Sequence, residues 1–246
     1  MQKVIDKDWF STWFDSPYYH ILYKNRDFNE AENFINQLFE YLKPANNTNI
    51  IDIACGKGRH AIQMNKLGFT VDAFDLSENS IVEAKQSEND QLHFYVNDIR
   101  EPLKTNAYDL AFNLFTSFGY FSDEQDNYQA IKAIADSMKA EGTFVMDFMN
   151  VNKVIANLVL SEEKIIDGIT FKITREVKDN FIVKHINFSD NGNDYHFSES
   201  VKAITLNDFK AYFKSASLNL ITTFGNYNLD PFDVNTSDRL IMIVKK

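Results

Sequence analysis

The sequence predicts an α/β fold: a doubly wound, mostly parallel sheet of seven strands with an antiparallel last strand, plus a small antiparallel β insertion. Between residues 28 and 149, strand-like and helix-like segments alternate, which is typical of a parallel sheet covered by helices on both faces. From 164 to 204, short strand-like segments are separated by turn signals instead of helices. One helix and two strands follow after residue 205.

The first element is a helix that precedes the sheet. Apolar residues recur at helical spacing from Phe28 to Leu42, and Pro44 with the polar residues after it ends the pattern. We expect residues 1–44 to form a helical cap on a single domain that spans 1–246.

Five strands are predicted next, because β-branched, aliphatic and aromatic residues cluster in short segments that end at turns. They are residues 49–54, 69–74, 92–96, 108–114 and 142–148. Helices between them should begin after a glycine turn, at Ser77 as N-cap, and at residue 125, the last one ending at residue 138. Ligands of such sheets bind at the carboxyl ends of the strands.

The second half contains the insertion and the end of the sheet. Residues 151–203 predict antiparallel strands, with turns at 178–180 and 190–193. Thr205 should begin a helix, and the final strand pair is expected at 218–224 and 239–244.

Composition excludes several classes of protein. The net charge of −10 disfavours a nucleic-acid partner or an anionic membrane, and no stretch is apolar enough to span a bilayer. The single cysteine, Cys55, forms no internal disulfide, so we expect a soluble cytoplasmic protein. No Cys or His cluster has zinc-site spacing, so no metal is expected.

The segment IIDIACGKGRH, residues 50–60, places bare backbone at the end of a predicted strand. Gly56 and Gly58 permit positive φ and close approach of a ligand. With Ala61 they satisfy the dinucleotide pattern G-x-G-x-x-G/A, and Asp75 follows nineteen residues after Gly56. The match is weak alone, but an acid inside the strand, Asp52, argues against a dinucleotide site.

In order, the motifs resemble those of the class I S-adenosylmethionine-dependent methyltransferases of the small-molecule type. IDIACGKGRH is similar to the first motif, VDAFDLS to the second and FYVNDI to the third. AYDLAFNLFTSFGYF and EGTFVMDFMN match the fourth and fifth strands, and the likeness covers residues 45–150 and 205–246. The resemblance implies S-adenosyl-L-methionine as cofactor.

The resemblance also implies roles for residues. Asp75 would accept both ribose hydroxyls, Asp98 the adenine amine, and Leu76 and Ile99 would sandwich the adenine; Asp52 would order the glycine turn. Structural alternatives remain: Asp75 could cap the helix that starts near Ser77, Asp98 could be a turn carboxylate, and Cys55 could be a packing residue. The implied cofactor set is Tyr19, Tyr23, Arg26, Asp52, Ala54, Cys55, Gly56, Gly58, Asp75, Leu76, Ser77, Asn97, Asp98, Ile99, Asn113, Leu114 and Phe115.

The aromatic segment before the first helix has two interpretations. By analogy with the family, Tyr19 and Tyr23 would lie near the sulfonium and Arg26 would bind the methionine carboxylate. Alternatively, these side chains only pack the cap onto the sheet.

Methyl transfer is an in-line displacement that requires alignment and exclusion of water, and a general base only if the acceptor is protonated. His60, Tyr19, Tyr120 and His20 are the candidates for catalysis. His185 and His196 could line an acceptor pocket or lie on the outside of the insertion.

The acceptor is expected to be a small molecule. Residues 113–116 read NLFT, without the prolines of the D/N-P-P-Y/F motif of base amino-methyltransferases. The insertion 151–203 would then be an acceptor lid or the contact of a homodimer. Two alternatives stay open: a non-catalytic protein that binds S-adenosylmethionine or a metabolite, and an NAD(P)-dependent oxidoreductase.

Overall fold

A computed structural model describes residues 9–24 and 28–246 of the chain. Its strands are β1 (Asn49–Ile53), β2 (Thr70–Asp75), β3 (Leu92–Val96), β4 (Tyr108–Asn113), β5 (Met138–Met149), β6 (Ser161–Ile166), β7 (Ile169–Lys178), β8 (Phe181–Asp190), β9 (Asn193–Lys202), β10 (Asn219–Phe224) and β11 (Arg239–Lys245). Its helices are α1 (Trp9–Phe14), α2 (Pro17–Leu22), α3 (Phe28–Leu42), α4 (Arg59–Lys66), α5 (Glu78–Ala84), α6 (Glu124–Ser137), α7 (Val151–Ala156) and α8 (Leu206–Ser215), with a short 3₁₀ turn at Lys85–Ser87.

The main sheet has the strand order β10-β11-β5-β4-β1-β2-β3. Strands β1 to β5 pair in parallel, whereas β11 runs antiparallel to both β5 and β10. The predicted fold class is therefore confirmed: a seven-stranded, mostly parallel sheet with an antiparallel last strand. The strand order reverses between β1 and β4, where open α/β sheets place their ligands.

Alternating side chains of the strands supply two cores, one on each face of the sheet. Ile50 packs with α3, α4 and α5, whereas Ile51 and Ile53 belong to the core that contains α1, α6 and α8. This division follows from the two-residue period of a strand. It leaves the carboxyl ends of the strands uncovered by either helical layer.

The insertion forms a separate antiparallel sheet, β6-β7-β8-β9, after the short helix α7. The alternating segments and both turns were predicted, but β6 was not singled out as a strand. Its residues Glu162, Glu163 and Lys164 are charged, and it is an edge strand that pairs only with β7. Charged side chains are common on edge strands and hide the strand pattern.

The start of β5 differs from the prediction. Met138 was assigned to the preceding helix and strand 5 to residues 142–148, yet Met138 has extended backbone (φ −80°, ψ 145°) and pairs with Tyr108. Its side chain is fully buried, so packing decides its conformation rather than helix propensity.

No helix in the described ranges 9–24 and 28–246 is long and apolar enough to cross a membrane. The expected N-caps are present: Ser77 and Thr205 accept hydrogen bonds from the amides of Ser80 and Asp208. They begin α5 and α8 where the sequence predicts them.

We predict that Gly58→Ala lowers the free energy of unfolding by about 2–4 kcal/mol, because left-handed strain adds to overpacking. Gly58 has φ +79°, and a Cβ there would lie 2.4 Å from the ring of Phe94, a buried core residue. Urea unfolding measures the effect.

The matched control for this substitution is Gly168→Ala. Gly168 has φ +80°, but a Cβ would meet nothing within 4 Å. Only the backbone strain of about 1–2 kcal/mol should be lost there. Equal losses in the two variants would contradict the close approach of Gly58 to Phe94.

Candidate functional site

A cavity of about 1230 Å³ opens at the carboxyl ends of the parallel strands. Its walls come from the turns after β1, β2, β3 and β4, from the cap helices α1 and α2, from β9 and from the loop before β11. The volume is above the usual range of about 300–1,000 Å³ for small-molecule sites.

Most of the predicted site residues line this cavity. They are Tyr19, His20, Tyr23, Ala54, Cys55, Gly56, His60, Asp75, Leu76, Ser77, Asn97, Asp98, Ile99, Leu114, Phe115 and Tyr120. Asp52, Gly58 and Asn113 are not lining residues; they lie behind the cavity wall. Arg26 lies outside the described residues.

The turn after β1 is built from left-handed backbone. Ala54, Gly56 and Gly58 have φ values of +57°, +56° and +79°. The amide of Cys55 donates to the carbonyl of Phe74, and the Gly58 amide donates to the Cys55 carbonyl. The turn thus folds back against β2, and Ala54, Cys55, Gly56 and Lys57 line the cavity.

Asp75, at the end of β2, joins two turns. One carboxylate oxygen accepts from the Gly56 amide at 2.8 Å, and the other accepts from the Ser77 amide at 2.9 Å. Burial raises the pKa of Asp75, and the backbone amides oppose that rise. Each oxygen of a carboxylate can accept a second bond, so the side chain can hold the turns and still accept from a ligand.

Ser77 has a structural use for its hydroxyl. The oxygen accepts from the Ser80 amide at 3.1 Å, and the hydroxyl lies 2.7 Å from a carboxylate oxygen of Asp15. Asp15, between α1 and α2, also accepts from the Asn79 amide at 3.0 Å. These contacts fasten the cap to the start of α5; a cofactor contact of Ser77 remains a prediction.

Asp98 lines the cavity but is paired with a residue that the sequence analysis did not consider. Arg100 donates to it through its amide at 2.8 Å and through Nη2 at 2.6 Å. Burial alone would raise the pKa of Asp98, but the bonds from Arg100 outweigh it and the pKa is lowered. The carboxylate is ionised and acceptor-only, as binding of an amine requires.

Asp52 and Asn113 support the turn from behind. The Asp52 carboxylate accepts from the Ala61 amide of α4, and burial raises its pKa to about 7. Its Oδ2 has no hydrogen-bond partner among the described residues. Asn113 donates to the carbonyls of Ile53 and Ser117 at 3.0 and 3.2 Å, which joins the exits of β1 and β4.

Aromatic side chains cover one side of the cavity. Tyr19 packs against Phe14 and Tyr23, with ring centroids 5.0 and 4.9 Å apart. Tyr120 packs against Trp9 and Phe14 at 5.3 and 5.2 Å. The two predicted roles of this segment are compatible, because the rings both pack the cap and face the cavity.

The two histidines at the cavity are kept neutral by burial. Burial lowers the pKa of His20 and lowers the pKa of His60 well below its usual value. His60 packs on Phe115, with ring centroids 5.1 Å apart, and its Nε2 has no hydrogen-bond partner in the described part of the chain. A neutral imidazole is the form that accepts a proton.

Glu199 of β9 is a cavity residue that sequence reasoning missed. Its carboxylate accepts from Trp13 Nε1 at 2.8 Å and from the Tyr23 hydroxyl at 2.7 Å, and it lies 3.4 Å from the ammonium of Lys184. Trp13 is 186 residues distant in sequence. No local pattern could have joined the insertion to the cap.

A second missed group lies at the ends of β5 and β11. Asp147 is fully buried, and its Oδ1 accepts from Arg239 Nε at 2.8 Å. Arg239, Phe115 and Tyr227 all line the cavity. One signal was present: Asp147 interrupts the apolar run FVMDF of strand 5, as Asp52 interrupts strand 1.

In the described ranges, no three His, Cys, Asp or Glu side chains form a group that could hold a metal ion. His185 contacts Ser198 and Glu176, and His196 contacts Asn187. Neither histidine lines the cavity.

A family model described as "Methyltransferase domain" matches residues 44–195. The chain belongs to this methyltransferase domain family. The match covers more than half of the chain and begins just before β1, so it includes the left-handed turn and the ends of β1 to β5 described above.

Curated relatives agree with the family. A protein of Geobacillus sp. (strain WCH70) that carries a provisional methyltransferase name is 24% identical over 141 residues, which is 56% of this chain and 55% of the relative. YqeM of Bacillus subtilis (strain 168), named in the same way, is 30% identical over 40% of this chain. The chain spans about half the length of these relatives.

Solved structures share the fold. An S-adenosylmethionine-dependent methyltransferase from Clostridium acetobutylicum ATCC 824 has a TM-score of 0.77 at 20% identity, over 93% of this chain and 95% of that one. CalS10, an amino pentose methyltransferase from Micromonospora echinaspora solved with S-adenosylmethionine bound, has a TM-score of 0.67 at 12% identity, over 100% and 99%. The predicted resemblance to S-adenosylmethionine-dependent methyltransferases is confirmed by the family model and by the shared fold.

We predict that Asp52 makes the stability of the protein fall as pH rises. Its pKa is 3.8 without the fold and about 7 within it, so the unfolded chain loses its proton first and stability declines between these two values. Asp52→Asn should lack this decline, and its free energy of unfolding relative to wild type should be higher at pH 8 than at pH 5.

Asp109→Asn is the control of opposite sign. Burial would raise the pKa of Asp109, but the bond from Lys139 outweighs it and the pKa is lowered. Replacing Asp109 should therefore cost more stability at pH 8 than near pH 3. Urea titrations across this range measure both variants, and a parallel pH dependence of the two would refute the assignment of Asp52.

Proposed function

We propose that the protein is an S-adenosylmethionine-dependent methyltransferase that transfers a methyl group to a small-molecule acceptor by in-line displacement. The observation that carries the proposal is that Asp75 and Asp98, at the ends of neighbouring strands, line the same cavity as the left-handed turn after β1. The membership of the methyltransferase domain family supports it and disfavours the NAD(P)-dependent oxidoreductase.

The residues present fit S-adenosylmethionine. The turn of Ala54–Gly58 offers main-chain groups and needs no lysine, because the cofactor carries no phosphate. Asp75 has acceptor capacity left for the ribose hydroxyls. Asp98 accepts from the amide, Nε and Nη2 of Arg100, which leaves one lone pair for the adenine amine. Leu76 and Ile99 flank this part of the cavity, and Asp52 has a buried oxygen that accepts from none of the residues in 9–24 and 28–246.

When bound, S-adenosylmethionine supplies a methyl group on a sulfonium sulfur, which is an excellent leaving group. The task of the chain is to align the acceptor and to exclude water. We assign that task to Tyr19, Tyr23 and Tyr120, whose rings can also stabilise a positive charge. His60 and His20 are neutral and can take a proton from an acceptor that carries one.

Several observations support a small-molecule acceptor. The cavity is larger than one cofactor needs, and the net charge of −10 disfavours nucleic acid. CalS10, which has a similar fold, is an amino pentose methyltransferase. We also propose a cytoplasmic location, consistent with Cys55 as the single cysteine.

We propose that the insertion 151–203 is the roof of the acceptor chamber. Glu199 and Val201 of β9 line the cavity together with Trp9 and Phe10 of α1. Glu199 also holds Trp13 of the cap through its carboxylate. The alternative use as a homodimer contact predicts a dimer in sedimentation that variants of the insertion disrupt.

The proposed function is tested by Asp75→Ala. We expect affinity for S-adenosylhomocysteine, the demethylated cofactor, to fall by about 1.5–3 kcal/mol, the value of hydrogen bonds to a charged group. Calorimetric titration measures the affinity. The control is Asp109→Ala, at the amino-terminal end of β4 and away from the cavity. Wild-type protein that is stabilised by NAD⁺ and not by S-adenosylhomocysteine would exclude the proposed reaction, and binding without methyl transfer to a metabolite extract would leave the non-catalytic alternative.

The role of the roof is tested by Glu199→Ala. Loss of the carboxylate leaves the largely buried ammonium of Lys184 without its anion, and we expect the free energy of unfolding to fall by about 1–3 kcal/mol. Turnover of the acceptor should fall more than affinity for S-adenosylhomocysteine. Glu176→Ala is the control, because Glu176 of β7 contacts His185 away from the cavity. Equal effects of the two substitutions on turnover would rule out the proposed role of the insertion 151–203 as the roof of the acceptor chamber.

A further inference from the structure

The loop after β4 begins with two strained residues. Phe115 and Thr116 have φ values of +60° and +63°, and neither is glycine. Such backbone is a genuine outlier for a β-branched residue like Thr. Strained residues persist only where surrounding contacts hold them, and they cluster at functional sites. Both residues line the cavity.

The contacts that hold this pair come from Asp147 and Arg239. Asp147 Oδ2 accepts from the Phe115 amide at 2.9 Å, and the Asp147 carbonyl accepts from the Thr116 amide at 3.0 Å. Arg239 donates through Nε to Asp147 at 2.8 Å and through Nη2 to the Thr116 hydroxyl at 2.9 Å. The two charged side chains thus bind both strained residues.

The strained pair orients two rings at the cavity. The Tyr120 hydroxyl donates to the Thr116 carbonyl at 2.6 Å. The Phe115 ring lies 4.0 Å beneath the Arg59 guanidinium and is stacked on Tyr227 at 5.3 Å. A change in the backbone at 115–116 would therefore move the rings of Phe115 and Tyr120, which line the cavity.

A second ion pair that involves β5 looks different. Asp109 of β4 and Lys139 of β5 are 2.9 Å apart at the amino-terminal ends of these strands, away from the cavity, and both are more than one-third exposed. Asp147 is fully buried and Arg239 is only 19% exposed. Burying an ion pair is a weak source of stability, which leaves the geometry it imposes as the reason for its presence.

We infer that the Asp147–Arg239 pair is a positioning device of the active site: it holds Phe115 and Thr116 in left-handed backbone and so fixes Tyr120 and Phe115 against the acceptor. The inference rests on the proposed function and adds residues to it. Asp147 and Arg239 act through the loop and are not assigned contact with reacting atoms.

The experiment compares Asp147→Asn and Arg239→Lys with Asp109→Asn and Lys139→Gln. The readouts are hydrogen exchange of the peptide amides, affinity for S-adenosylhomocysteine, and methyl transfer from S-adenosylmethionine to a bacterial small-molecule extract. In the first pair, exchange at 115–120 should rise about tenfold or more, and kcat should fall about tenfold or more with KM for S-adenosylmethionine changed less than about threefold. The second pair should match wild type in exchange at 115–120, in affinity for S-adenosylhomocysteine and in methyl transfer.

A milder pair of variants keeps the test valid if the ion-pair variants fail to fold. Thr116→Val keeps the side-chain shape but removes the hydroxyl that Arg239 binds, and Thr116→Ser keeps the hydroxyl. We expect raised exchange and lowered kcat for valine and near wild-type values for serine. Variants that lose stability while kcat and loop exchange stay unchanged would overturn the inference about the ion pair but not the proposed function. Wild-type protein that binds no S-adenosylhomocysteine and transfers no methyl group would overturn the proposed function and, with it, the role of the pair in the reaction.

Discussion

The crevice depends on one carboxylate that accepts from two turns. Asp75 ends β2, and its two oxygens bind the amides of Gly56 and Ser77. The first amide belongs to the left-handed turn after β1, and the second begins α5. Because a carboxylate only accepts, it satisfies main-chain donors that point into the crevice from both sides. Removing it would release the turn whose exposed backbone makes the site.

Local patterns predicted the elements and motifs, whereas contacts between distant residues escaped them. The parallel pairing of β1 to β5 follows from the β-α alternation, and Asp75 was found because its motif is continuous in sequence. The bond of Arg239 to Asp147 spans 92 residues, so no spacing rule reveals it. Met138 was wrongly placed in a helix. Its extended backbone is decided by burial, a tertiary property that local sequence patterns do not show.

The parts outside the sheet are joined to each other as well as to it. Asp15 fastens the cap to α5, and Glu199 fastens the cap to the insertion. In the proposed enzyme, differences in acceptor between relatives would arise from these two added parts, since the sheet and its turns serve the cofactor.

The reversed direction of β11 has a consequence for where this fold can be cut. An antiparallel strand presents its first residue, Arg239, at the edge where its neighbours present their last. The segment 44–195 that matches the family model contains Asp147 but not Arg239. An excised fragment with those limits would contain Asp147 without Arg239, and the loop that this ion pair holds would relax. In the proposed enzyme, the functional unit therefore includes the final strand.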